Sequence, residues 1–263
     1  MSLARGLYEV LVTQLLERQL QSAGVLGTPD FDDLRNAEAA DRIAHHIARV
    51  IETAIESTPD SDRTTIGIEL ARRLIDLIVP QLAKDELAAM QLADPARVLR
   101  AINKRLPDGS TESIPRPLIP LLDTTLLTNA PGEPRVGHQI QAEIASADRI
   151  DLVMAFIRRT GINPMVEALR RHVQDGKPLR VLTTAFTGTT EADAIEVLQH
   201  LGAKVRVSYD TTSTRLHAKA WLFHRDSGYS TAYVGSSNLT HAAQVTGLEW
   251  NVRVSAARNR AVM

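Results

Sequence analysis

The most constraining feature of this chain is a change of hydrophobic period near its middle. From Ile150 onward, short apolar runs of strand length alternate with helical segments. IDLVMAFI, Ile150 to Ile157, is almost continuously apolar, as a strand buried on both faces requires. Met165 to Gln174 reads as a helix, with Gly176 past its end. LRVLTTA, Leu179 to Ala185, is a second strand. Thr190 to His200 is a helix closed after Leu201 by Gly202, and KVRVSY, Lys204 to Tyr209, is a third strand. This alternation predicts parallel βαβ units. AKAWLF and TAYVGS then read as two hairpin-like strands, followed by a short helix near Leu239. A last strand, EWNVRVS, is opened by Glu249. The expected fold class is α/β, a mixed sheet flanked by helices and preceded by an α-helical N-terminal domain.

The first hundred or so residues follow a helical period. Leu7, Val10, Leu11, Leu15 and Leu16 share one face of a segment ended by Gly24 and Gly27. A second helix is expected from Asp32 to Glu56 and a third from near Asp62, with a fourth over Pro95 to Leu106. His45 and His46 are adjacent and so point to different faces of a helix, which does not suit a shared metal. Six prolines between Pro107 and Pro134 interrupt regular structure and mark a boundary. The expected domains are a helical one over residues 1–125 and a catalytic one over 126–263. The chain stops soon after its last strand, where a covering helix would be expected, as in a piece of a longer protein.

Composition narrows the function classes. No stretch of eighteen uncharged apolar residues is present, so no membrane span is expected, and the N-terminus lacks a signal-peptide pattern. The absence of cysteine excludes disulfides and thiolate metal sites and fits a reducing cytoplasm. Aromatic residues are 4% of the chain, which speaks against a base-stacking platform. The net charge of −1 offers no overall basic character, though balanced totals can hide a local patch.

The chemistry-bearing residues fall together after the third strand. His217 and Lys219 are two apart on an expected strand, so both point to one face. GSSN, Gly235 to Asn238, ends the next strand, and Glu249 lies eleven residues past Asn238. A phosphodiester needs a nucleophile, a proton donor for the leaving oxygen and positive groups for the phosphoryl oxygens. His217 can serve as nucleophile or acid. Lys219 and Asn238 can bind phosphoryl oxygens, and Ser236 can add a hydroxyl. Glu249 can hold the second imidazole nitrogen of His217. His224 and His241 read as supporting or surface residues, His138 as structural, and His172 and His200 as solvent-exposed.

RLHAKAWLF, YVGSSNLTHAAQ and GLEWNV resemble the phospholipase D superfamily, whose pattern is His-x-Lys, then Gly-Ser-x-Asn, then a downstream acid. The match is close to the compact bacterial endonucleases of that superfamily and covers roughly residues 126 to 263. The superfamily motif often has an aspartate five residues after the lysine; here that position is His224. The resemblance implies a metal-independent phosphodiesterase with catalytic residues His217, Lys219, Asn238 and Glu249. Substrate oxygens would be held by Lys219, Ser236 and Asn238. It also implies a phosphohistidine intermediate. One copy of the motif is half a site, so a homodimer is expected to assemble the whole.

The stretch from Pro117 to Ile157 with HAKAWLF and GSSNLTHAA also resembles the N-terminal nuclease domain of long bacterial proteins that continue into a superfamily 2 helicase. Some of those act as ATP-dependent restriction enzymes in defence against foreign DNA. The expected partners are DNA, a second copy and such a helicase domain in the parent chain. No GxxxxGK[ST] loop is present, so no cofactor is expected here, and ATP would belong only to a downstream helicase. A phospholipase or phosphatidyl transferase, or a catalytically silent DNA- or partner-binding scaffold, are the alternative readings.

Overall fold

In a pleated strand successive side chains point to opposite faces, so burial reports which faces are covered. The computed structural model describes residues 10–21, 30–81, 90–130, 135–210, 215–243 and 247–257. In it the apolar run becomes strand β4, Arg149–Met154, and its burial alternates residue by residue. Ile150, Leu152 and Met154 are buried, while Asp151 and Val153 are only half-buried. The expectation of a strand covered on both faces is therefore corrected. The run is apolar but for Asp151, and helices cover one side.

Two compact units divide the chain, Met1–Arg100 and Ala101–Met263. The second holds a hairpin, β1 (Lys104–Arg105) and β2 (Thr111–Glu112), and a seven-stranded sheet. The sheet strands are β3 (Thr125–Leu127), β4, β5 (Leu179–Thr184), β6 (Lys204–Ser208), β7 (Lys219–His224), β8 (Thr231–Gly235) and β9 (Asn251–Ser255). Their order is β3-β9-β8-β7-β4-β5-β6. β4, β5 and β6 are parallel neighbours, as the βαβ alternation predicts, and the other pairings are antiparallel.

Helices α4 (Val136–Ser146), α6 (Val166–Gln174) and α7 (Ala192–His200) supply one layer, and a short α5 (Arg159–Ile162) leads into α6. Ile140 and Ile144 of α4, Leu169 of α6 and Leu198 of α7 join Leu152, Val181 and Phe223 in one core. Each such buried side chain stabilises the fold by about 1.5–3 kcal/mol. On the opposite face Leu126, Val252 and Val234 lie side by side across β3, β9 and β8 and are exposed.

The core also encloses an ionic cluster. Glu143 is fully buried on the apolar side of α4. Its carboxylate accepts from Arg225 Nη2 at 2.5 Å, Arg253 Nε at 2.8 Å, Thr231 Oγ1 at 2.8 Å and Tyr233 Oη at 3.1 Å. Burial alone would raise the carboxyl's pKa, but the two guanidinium groups outweigh it and hold it below the usual range. Burial and the neighbouring carboxylate push the Tyr233 hydroxyl up. Arg253 Nη1 also donates to the carbonyls of Pro120 and Asp123, both at 2.9 Å. The proline-rich stretch is thereby tied to the sheet at this point.

Unit Met1–Arg100 carries α1 (Gln14–Gln21), α2 (Asn36–Glu56) and α3 (Arg63–Ile78). The sequence places the second and third helices correctly to within a few residues. The ends of the expected first helix, at Leu7 and at Gly24 and Gly27, lie outside the described residues. Ile55 of α2 packs against Gly67 of α3, which makes the pair a helical hairpin. The expected fourth helix, Pro95 to Leu106, does not form. Its end is instead β1, which pairs with β2 around a turn. There Gly109 takes a positive φ of 87° and Asp108 accepts from the Ser110 amide at 2.9 Å. Turn chemistry after Pro107 overrides the weak helical period.

Candidate active site

The candidate residues gather at one end of the sheet, where the parallel strands present their carboxyl ends. His217 lies just before β7 rather than on it, because the strand begins at Lys219. Backbone pairing nevertheless continues beside it, since Ala155 N donates to Ala218 O at 2.8 Å. The structure brings His217 and Lys219 into contact. Lys219 Nζ stands 3.1 and 3.2 Å from the two ring nitrogens of His217 and donates to its carbonyl at 3.0 Å. His217 is exposed, and the edge of its ring meets Phe156 at 5.8 Å between centroids. Burial lowers the Lys219 pKa, and the Glu249 carboxylate works against that shift.

Ser236, Asn238 and Glu249 come from the β8–β9 end of the same edge. Asn238 Oδ1 accepts from Phe156 N at 3.2 Å, which turns the amide so that its NH2 faces away from that strand end. Ser236 is bonded to Glu249 through their side chains. The Ser236 amide donates to Trp250 O at 2.9 Å, and its hydroxyl accepts from Trp250 N at 3.0 Å. Glu249 precedes β9, which begins at Asn251. Its side chain is bonded to Ser236, and among the described residues it makes no hydrogen bond to an imidazole nitrogen of His217. Lys219, Ser237 and Asn238 line a narrow cleft floored by Trp221 and Tyr233 and walled by Val136 and Ile140 of α4.

Several residues that sequence reasoning missed hold this edge in place. Asn129 has a φ of 56°, unusual outside glycine. Its buried side chain accepts from Val136 N at 2.8 Å and donates to the carbonyls of Ala243 at 2.9 Å and Gly247 at 3.3 Å. Asn251 Nδ2 donates to Ser237 Oγ at 2.7 Å below the GSSN turn. The available signal was local: an asparagine seven residues before a helix start, and an asparagine two past the acid.

Two glycines allow the close approaches that shape the edge. A Cβ on Gly235 would stand 2.2 Å from the Trp250 carbonyl oxygen. A Cβ on Gly161 would stand 2.1 Å from the Leu239 carbonyl oxygen. That same oxygen accepts from Arg158 N at 2.9 Å, and Leu239 N donates to Phe156 O at 3.1 Å. Gly161→Ala is therefore expected to cost about 1–3 kcal/mol and to shift Asn238. A thermal melt and a turnover assay on the purified variant check this. Unchanged values in both would show that the backbone yields freely.

The remaining histidines sort by burial. His224 Nε2 lies 2.9 Å from Asp151 Oδ2. A carboxylate thus does stand beside the position of the usual aspartate, supplied by β4. Burial would raise the Asp151 pKa, but Arg180 and His224 hold it below its ordinary value. His172, expected to be exposed, is buried; its Nε2 lies 3.2 Å from Pro178 O, and burial lowers its pKa. The helix face that carries it turns inward onto the loop that joins α6 to β5. His200 is exposed as expected, with Nδ1 2.7 Å from Glu196 O. His138 is exposed in the first turn of α4, and His241 is exposed at the start of a helical turn. The helix expected near Leu239 is described only as far as residue 243, and residues 244–246 lie outside the described ones. Among the described residues no group of three or more histidine, cysteine, aspartate or glutamate side chains is placed to hold a metal ion. No helix among them is long and apolar enough to cross a membrane.

Residues 140–262 match the family model described as cardiolipin synthase, PLD-like domain. Among solved structures the chain is similar to the phospholipase D family member Nuc from Salmonella typhimurium. They share 19% identity over 53% of this chain and 89% of that one, with a TM-score of 0.40. It is similar to NucT from Helicobacter pylori at 10% identity over 52% of this chain and 87% of that one, with a TM-score of 0.38. It is also similar to polyphosphate kinase from Porphyromonas gingivalis at 16% identity, over 51% of this chain and 24% of that one, with a TM-score of 0.39. No curated protein matches. The family match covers β4 to β9 and every candidate site residue, and the fold of these residues is phospholipase D-like.

Proposed function

We propose that this chain is a phosphodiesterase that cleaves DNA without a metal, through His217 and Lys219 of two copies meeting at one phosphate. The observation that carries the reading is the placement of the Lys219 ammonium within 3.2 Å of both ring nitrogens of the exposed His217. In the first step an imidazole nitrogen of one His217 attacks phosphorus. A P–N bond forms as the P–O bond breaks, and the second copy's His217 gives its proton to the leaving oxygen. In the second step that histidine takes a proton from water, the water oxygen attacks phosphorus, and the P–N bond breaks. Lys219 and the Asn238 amide carry the charge on the phosphoryl oxygens. Ser236, held by Glu249 and Trp250, keeps the GSSN turn in register with them.

The context in which we place this activity is a restriction-type defence protein with a helicase domain in the same parent chain. The resemblance of the proline-rich entry and the two motifs supports it. A second reading, phosphatidyl transfer, is favoured by the description of the matching family model. Turnover of anionic phospholipid with no cleavage of DNA would select it.

The test is cleavage of plasmid DNA in excess EDTA by mixtures of native chain and His217→Ala chain. Because each site needs two histidines, activity is expected to fall with the square of the native fraction once subunits exchange. A linear fall would mean that one copy suffices, and cleavage abolished by EDTA alone would overturn the metal-free mechanism.

A further inference from the structure

We propose that the carboxyl ends of β5 and β6, built around Arg215, Phe186 and Tyr209, form a base-and-phosphate subsite for an unpaired strand of nucleic acid. The inference rests on the nuclease reading above and extends it to the substrate beyond the scissile phosphate.

Arg215 is exposed, and its guanidinium carbon lies 5.0 Å from the centroid of the Phe186 ring. Among the described residues it makes no ion pair. The Phe186 ring holds this guanidinium, whose fork of donors suits an anion. Phe186 follows the end of β5, and the two strands are still joined there, because Ala185 N donates to Ser208 O at 3.0 Å. Tyr209 directly follows β6 and is 78% exposed. The core has no use for a tyrosine so far out of it, and a ring face accepts any base.

The sheet order sets the distance to the reacting pair. β5 is two strands from β7 and β6 is three, across β4. At the usual strand spacing these ends lie roughly 10 and 15 Å from Lys219. A stacked nucleic-acid strand rises about 3.4 Å per nucleotide, so the span corresponds to roughly three or four nucleotides. Phe156, whose ring meets His217, stands at the end of β4 between the two places. Three of the chain's ten aromatic residues, Phe156, Phe186 and Tyr209, thus fall at one edge, interleaved with a cation. The scarcity of aromatics overall conceals this concentration. Stacking needs a base free of its duplex partner, which is why the subsite selects unpaired strand.

The experiment measures binding of a labelled single-stranded 12-mer, long enough to cover that span with nucleotides to either side, by fluorescence anisotropy, using the full chain with His217→Ala so that nothing is cut. Adding Arg215→Ala or Tyr209→Ala is expected to weaken binding by about tenfold or more. Arg215→Ala should also lower the salt slope by about 0.7. Tyr209→Phe, which keeps the ring, should bind like its parent. With His217 restored, the turnover defect of both alanine variants on the oligonucleotide should exceed that on bis(p-nitrophenyl) phosphate by about tenfold. That diester has no neighbouring nucleotides. Parent-like binding in both alanine variants overturns the subsite, as does loss of anionic-vesicle binding with oligonucleotide binding intact. If the native chain cuts neither substrate, the nuclease reading fails, and the binding arm still decides the subsite.

Discussion

His217→Ala is expected to lower phosphodiester hydrolysis by about 10⁴-fold or more while leaving the fold standing. In the proposed mechanism each reaction cycle uses this imidazole twice, as nucleophile in one copy and as acid and base in the other. No neighbouring group replaces it, because Lys219 is an ammonium and Glu249 is bonded to Ser236. The stability cost is small for the same geometric reason. His217 is exposed, and its ring contact is an edge meeting with Phe156, which is worth roughly 1 kcal/mol at most. Turnover in EDTA and a thermal melt on the same preparation separate the two effects. A variant that melts normally and still cuts DNA would falsify the proposed role.

Glu143→Gln is expected to do the reverse, destabilising the domain by about 3–5 kcal/mol with no direct part in catalysis. The amide fills the same space but leaves Arg225 and Arg253 buried without their counter-charge. For a domain of this size the melting temperature should drop on the order of 10 °C. The acid limb of the stability curve should change as well. The carboxyl is held below its ordinary value of 4.5. Its contribution is complete above that value and disappears as pH falls through the lower folded value. Melting temperature against pH should therefore steepen in acid for the native chain and flatten for Glu143→Gln. Parallel curves for the two proteins would show that the cluster adds nothing to folding.

The Glu143 cluster also marks where reading the sequence stops. Gln139 and Glu143 fall on the apolar side of α4 at helical spacing, and that pattern flags a polar group in the core. It cannot name the partners, since Arg225, Thr231, Tyr233 and Arg253 arrive from three later strands or their ends. β3 was missed for the same reason: three residues become a strand only because β9 lies beside them.

What the sequence alone determined was local and periodic. The βαβ alternation, the hairpins after it and the grouping of His217, Lys219, Ser236 and Asn238 all follow from side-chain spacing along short segments. Tertiary structure decided which face of β4 is covered, which partner Glu249 takes, why His172 is buried, and that Arg215 and Phe186 meet. Each of these depends on atoms distant in the chain being brought together, and no period along the sequence records that. It was burial and hydrogen-bond satisfaction across the assembled sheet that settled them.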